Sequence, residues 1–299
     1  MTVALFYPTA LPARAVPMGP WLPLVAPGVP ALDTHLKGLI LLSHGTSGTE
    51  LKHHNLGTRL ARDGYLVAAV RHPGDHWQDR SLVTSGRYFS ERPRQLSRAL
   101  DALLASPEWG KRIPTERIGA VGHSAGGYSG LVLAGGQADR HRSTLHCRTV
   151  QDDPGYCYLA KGPGGEAPAT AAVSTAAADA LPVAAADRRI CAVVALAPMA
   201  VVFTAESLSD ITVPVRVITA EHDAVLNGKY RGQYLVANLP RAKLSTVAGA
   251  GHFAFMAQPS FPLPSPAGDA SANPPGFDRV AFLPSLERLV AEFFAEQWR

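Results

Sequence analysis

The chain has 299 residues, 46% of them hydrophobic and 17% charged, which suits one large domain with a sizeable core. Its formal charge of +4 comes from scattered basic residues with no stripe interleaved with aromatics, which argues against a nucleic-acid partner. No apolar run approaches the roughly 20 residues that span a bilayer.

Residues 2–7 read as an antiparallel edge strand, and this first stretch has no basic start of a secretory signal. Short apolar runs follow at 39–42 and 65–70, each ending in a polar, glycine-bearing turn, Ser43-His44-Gly45 and Arg71-His72-Pro73-Gly74. Further runs lie at 117–121, 191–196, 213–218 and 243–247. Helical patterns separate them, at 51–63, 93–105 and 128–134, and a last one spans 284–298 with Leu286, Leu289, Val290, Phe293 and Phe294 on one face. Continuous apolar strands alternating with helices predict a mostly parallel sheet buried on both faces, in a single α/β domain over 1–299.

Two stretches break the alternation. Residues 137–189, rich in Ala, Gly and Asp, contain Gly162-Pro163-Gly164-Gly165 and are expected to form a cap or insertion. Residues 258–277, rich in Pro, Ser and Gly, are expected to be a surface loop.

The run at 117–121 leads into Gly122-His123-Ser124-Ala125-Gly126 and then a helical pattern. A strand turning through Gly-x-Ser-x-Gly into a helix is a nucleophile elbow, which lifts a serine hydroxyl above the sheet. A serine hydroxyl needs a general base, and the base needs an orienting carboxylate. These groups belong at the C-terminal ends of strands. The run at 213–218 is followed by Glu221-His222-Asp223, and that at 243–247 by a glycine-rich loop with His252. Asp223, further into its loop than Glu221, is the expected acid. The order Ser124, Asp223, His252 is the one this fold requires.

The developing oxyanion needs two backbone donors. Ala125, directly after the nucleophile, supplies one, and Thr46, in the glycine-bearing loop after the early strand, the other. Trp77, His123 and Phe253 are candidates for lining a substrate site. The densest histidines, His53-His54 and His141 with His146, lack zinc-ligand spacing, so no metal and no cofactor are expected. Cys147 and Cys157 bracket a short segment and would pair in an exported protein, or stay as thiols in a reducing one. The sequence leans to a cytoplasmic location, or to an exported one had a leader been removed.

Several stretches resemble the serine-type branch of the dienelactone hydrolase-like family of α/β-hydrolases, with its platelet-activating-factor acetylhydrolase relatives. They are Phe6-Tyr7-Pro8, Leu42-Ser43-His44-Gly45, His72-Pro73-Gly74-Asp75, Arg92-Pro93-Arg94-Gln95-Leu96, Gly122–Gly127, Val194-Ala195-Leu196-Ala197-Pro198 and Gly251-His252-Phe253. The resemblance implies an α/β-hydrolase fold and the triad and oxyanion donors named above. Dienelactone hydrolases proper use cysteine where this chain has Ser124, so ordinary carboxylic ester hydrolysis through an acyl-enzyme is expected, with short to medium acyl groups. The expected partner is a small-molecule ester, and the oligomeric state is open. An acyltransferase or amidase could use the same triad, and a non-catalytic ligand-binding protein could keep the same fold.

Overall fold

The computed structural model describes residues 1–83, 85, 87–161 and 186–299. The chain opens with β1 (Thr2–Phe6) and a short hairpin of β2 (Arg14–Ala15) and β3 (Leu24–Val25), which the sequence pattern did not reveal. The apolar runs become β4 (Leu39–Ser43), β5 (Leu66–Arg71), β6 (Ile118–His123), β7 (Ile190–Leu196), β8 (Val215–Ala220) and β9 (Ala242–Val247). With β1 they form one seven-stranded sheet of order β1-β5-β4-β6-β7-β8-β9. The edge strand β1 pairs antiparallel with β5, and the remaining pairs are parallel.

The helices among the described residues are α1 (His54–Arg62), α2 (Tyr88–Leu104), α3 (Ala125–Leu133), α4 (Arg140–Thr149), α5 (Pro154–Lys161), α6 (Ala205–Ser209), α7 (Gly232–Asn238) and α8 (Arg279–Gln297). Side chains alternate across each strand, so Leu39 and Leu41 pack with α2, α3 and α7, while Ile40 and Leu42 pack with α1 and α8. Both faces are covered, which explains why the inner strands are apolar throughout rather than alternating.

Element bounds differ from expectation where proline intervenes. Helix α2 starts five residues before Pro93, although proline has no N–H to give the Phe89 carbonyl one turn back. The Tyr128 phenol donates to that carbonyl at 2.9 Å, so the orphaned acceptor is satisfied and the helix runs on. Helix α8 likewise starts before Pro284, capped by the Asp278 side chain, which accepts from the Ala281 N–H. Strand β8 starts later than expected, directly after Pro214.

In the first excursion, α4 and α5 are joined by a disulfide between Cys147 and Cys157. The Gly162–Gly165 segment lies outside the described residues. The second excursion is more than a surface loop. It forms a hairpin of β10 (Pro264–Ser265) and β11 (Gly268–Asp269), and Ala270 is buried with Trp21 and Met256.

Candidate active site

Strand β6 ends at His123 and α3 begins at Ala125, so Ser124 alone makes the turn between sheet and helix. Its φ of +57° is strained for a residue with a side chain and persists only where neighbours impose it. They do so here. The Ser124 N–H donates to the Leu196 carbonyl at 2.9 Å, and its own carbonyl accepts from Tyr128 and Met199, both at 3.1 Å. The flanking glycines let the helix close onto the sheet: a Cβ on Gly122 would lie 2.1 Å from the Gly126 backbone, and one on Gly126 2.0 Å from the Ser43 carbonyl oxygen.

The loops after β8 and β9 bring Asp223 and His252 together. Asp223 Oδ2 accepts from His252 Nδ1 at 2.8 Å, while Oδ1 accepts from the N–H groups of Val225 at 2.9 Å and Leu226 at 2.7 Å. Both oxygens are therefore committed, and His252 is held with Nε2 free for a proton. Glu221 does something else: it accepts from the Gly249 N–H at 2.8 Å, while the His222 N–H donates to the Ala250 carbonyl at 2.8 Å. These two bonds tie the acid loop to the histidine loop. Ser124 and His252 share no hydrogen bond in this structure, and such contacts are often long until a ligand is in place.

His123 is not placed to line a substrate site. It is buried, and its Nε2–H donates to the His252 carbonyl at 2.9 Å, with the two rings 4.8 Å apart. A carbonyl only accepts, so the proton sits on Nε2, and burial above all pushes the pKa well below the usual imidazole range. A neutral histidine thus backs the histidine loop, a consequence of the inward pleat at the end of β6. Phe253 is half-buried, its ring edge-on to His252 at 5.4 Å. Trp77 is 63% exposed and meets the site through its backbone, its N–H donating to the Gly48 carbonyl at 3.3 Å.

The loop after β4 lies against Ser124: a Cβ on Gly45 would sit 3.2 Å from Ser124 Cβ. Among the described residues nothing accepts from the Thr46 N–H. Ala125 is the first residue of α3, where N–H groups have no intrahelical partner. The Thr46 hydroxyl is bonded to the Tyr88 phenol at 2.6 Å.

A buried network that sequence reasoning missed holds this loop. Arg92 and Asp75 form an ion pair with neither side chain exposed. Arg92 also donates to the His44 carbonyl and, at 3.3 Å, to Ser43 Oγ, while Asp75 Oδ1 accepts from the Ser47 N–H at 2.6 Å. His72 continues it, bonded through Nε2 to Ser43 Oγ and through Nδ1 to Gln95 Oε1, both at 2.8 Å. The stretches 72–75 and 92–96 were visible as motifs, but their mutual contact was not.

Among the described residues, no three His, Cys, Asp or Glu side chains converge to hold a metal ion. His53 gives its Nδ1 proton to the Phe255 carbonyl, and His146 bonds Asp153. No helix among them is long and apolar enough to cross a membrane.

Residues 39–262 match the alpha/beta hydrolase family. The chain belongs to that family. Two cutinases of Thermobifida alba, est1 and est2, are each 35% identical over 109 residues, covering 36% of this chain and 33% of theirs. A cutinase of Thermobifida cellulosilytica is 30% identical over the same length, covering 36% of this chain and 38% of its own. The match thus spans about a third of these relatives (33% of est1). A ferulic acid esterase from Streptomyces cinnamoneus aligns over 98% of this chain and 81% of its own, with a TM-score of 0.60 at 19% identity. This likeness is one of fold, and with the family match it makes the seven-stranded sheet with helices on both faces an α/β-hydrolase sheet.

Proposed function

We propose that the protein hydrolyses carboxylic esters through an acyl-enzyme on Ser124. The observation that carries this reading is the Asp223–His252 pair, set on adjoining strand-end loops with its carboxylate locked, beside a serine on a strained elbow. Ser124 Oγ attacks the ester carbonyl carbon as His252 Nε2 takes its proton. The N–H groups of Thr46 and Ala125 hold the oxyanion, and collapse expels the alcohol, which leaves with the proton from His252. Water, activated by His252, then attacks the acyl-enzyme and releases the acid. No step calls on a metal or cofactor.

Support comes from relatives named as cutinases and from a structural neighbour named as a ferulic acid esterase. Within the family, the sequence of the 72–75 and 92–96 stretches, now seen to be buried together, is what favours the serine-type dienelactone hydrolase-like branch. We take short to medium acyl chains as the substrates, with the apolar cluster of Leu82, Tyr88 and Ala125 at the elbow as the surface that meets the acyl group. The Cys147–Cys157 disulfide favours an oxidising compartment over the cytoplasmic location the sequence leaned to.

The test is labelling with a fluorophosphonate, together with hydrolysis of 4-nitrophenyl esters of rising acyl length. Wild type is expected to be labelled on Ser124 and to prefer short or medium chains. Ser124→Ala is expected to lose label and about 10⁴–10⁶ of turnover. Unchanged turnover in that variant would sink the mechanism.

A further inference from the structure

Lys52 stands between the two halves of this site. It lies in the turn that joins the Gly45–Gly48 loop to α1. Its N–H donates to the Thr49 carbonyl at 3.1 Å, and its carbonyl accepts from Ala257, downstream of His252, at 3.0 Å. Its Nζ is 5.9 Å from the centre of the Phe253 ring, which is itself 5.4 Å from the His252 ring. Its charge also opposes protonation of His44, His53 and His123, the imidazoles packed around the elbow.

The ammonium has no acceptor among the described residues. Asp75, the carboxylate whose charge favours the ammonium, is already held by Arg92 and the Ser47 N–H. Of the two nearby guanidinium groups, Arg92 is paired with Asp75, and Arg279 spends its donors on Asn273 and the carbonyls of Ala270 and Ala272. Burial lowers the Lys52 pKa to about 8, which leaves most of the ammonium charged at neutral pH. An unpaired, partly desolvated cation on a flexible four-carbon stem is a ready receptor for an anion.

The chemistry of ester cleavage says which end of a substrate would meet it. The histidine that accepts the serine proton delivers it to the departing alcohol, so the alcohol portion lies on the His252 side. The opposite side, at Ala125, is apolar. Lys52 is reached from His252 across Phe253 and therefore belongs to the alcohol side. We propose that Lys52 is a specificity residue selecting esters whose alcohol portion carries a carboxylate, with Phe253 against the body of the alcohol and the ammonium on its anion. This rests on the ester-hydrolase reading above.

The test compares 4-acetoxybenzoate with its methyl ester, which share the acetyl group and differ by one charge. The readout is the ratio of kcat/KM for the anionic to the neutral ester, which cancels their different intrinsic reactivity across variants. Lys52→Met is expected to lower that ratio about tenfold, Lys52→Glu to lower it further, and Lys52→Arg to keep it. Raising salt to about 0.5 M should narrow the ratio of wild type towards that of Lys52→Met. Labelling of Ser124 by an uncharged fluorophosphonate verifies a folded site in each variant. Equal ratios in wild type and labelled Lys52→Met overturn the role of Lys52 and leave ester hydrolysis standing. Hydrolysis of neither ester by a wild type that also resists labelling overturns both.

Discussion

Asp223 meets His252 with one oxygen and the backbone of Val225 and Leu226 with the other, so the carboxylate cannot turn without breaking three hydrogen bonds. That division of labour predicts the outcome of Asp223→Asn. The amide oxygen is retained by the two backbone N–H groups, which leaves the NH₂ facing His252 Nδ1. Nδ1 must then accept, the ring proton moves to Nε2, and the base can no longer take the Ser124 proton. Turnover of 4-nitrophenyl acetate is expected to fall about 10⁴-fold, with melting temperature little changed. Near-wild-type turnover in a folded variant would show that Asp223 does not orient the base.

The elbow and its partners were legible because each is a local signal with a topological consequence. Ser124 sits on a five-residue turn whose glycines a Cβ would clash with, and Asp223 and His252 follow apolar runs that can only be strands. What was not legible depends on contacts between distant segments. The start of α2 before Pro93 depends on the Tyr128 phenol, supplied by the next helix. His123 could not be assigned to the back of the histidine loop without knowing that the His252 carbonyl lies beside it. The hairpin within 258–277 carries no periodicity at all, since its strands are two residues each.

Buried histidines should make stability fall on the acid side. Burial lowers His53 to about 3 and His54 to about 4, and it pushes His44, His72 and His123 well below the ordinary range. In the unfolded chain each takes up a proton near pH 6.5. As pH drops below that value the unfolded state binds protons that the folded state refuses, so stability is full above about pH 6.5 and declines towards pH 3–4. Thermal unfolding should show a plateau between pH 7 and 8 and a falling melting temperature through pH 6 and 5. A melting temperature constant from pH 7.5 to 4.5 would contradict this account.

The disulfide hairpin of α4 and α5 should support the acid loop. Gly155, at the start of α5, packs so closely that a Cβ there would lie 1.9 Å from the Ala224 carbonyl oxygen. Just before it, the buried Asp153 bonds Arg231 at 2.5 Å and His146 at 2.7 Å, and the Arg231 guanidinium lies 4.6 Å from the Tyr156 ring centre. Tyr156 and Cys157 in turn pack with Val225 and Leu226, whose N–H groups hold Asp223. Closing a loop of about ten residues stabilises a protein by about 3 kcal/mol. Replacing Cys147 and Cys157 together by serine is therefore expected to lower the melting temperature by about 5 °C. Turnover should also fall at temperatures well below the transition, because the acid loop loses its support. Unaltered melting and unaltered turnover would mean that the hairpin merely rests on the loop.

Arg92 should act on catalysis through the loop that carries Thr46. Its guanidinium reaches Asp75 and the His44 carbonyl at once, and Asp75 holds the N–H of Ser47, whose φ of +56° is itself strained. The two anchors bracket Thr46, so its N–H is aimed by groups that never touch substrate. A lysine keeps the charge but has a single nitrogen in place of the two that reach those acceptors separately. Arg92→Lys is expected to lower kcat about 10- to 100-fold, somewhat less than outright loss of an oxyanion donor, with a smaller change in KM. A trifluoromethyl ketone, which forms an oxyanion on the serine, should bind more weakly by a similar factor. A partly broken buried pair will also lower the melting temperature, so stability alone does not decide the matter. Retention of both kcat and trifluoromethyl ketone affinity in a destabilised Arg92→Lys protein would restrict Arg92 to holding the fold. Parallel loss of the two would place its effect at the oxyanion.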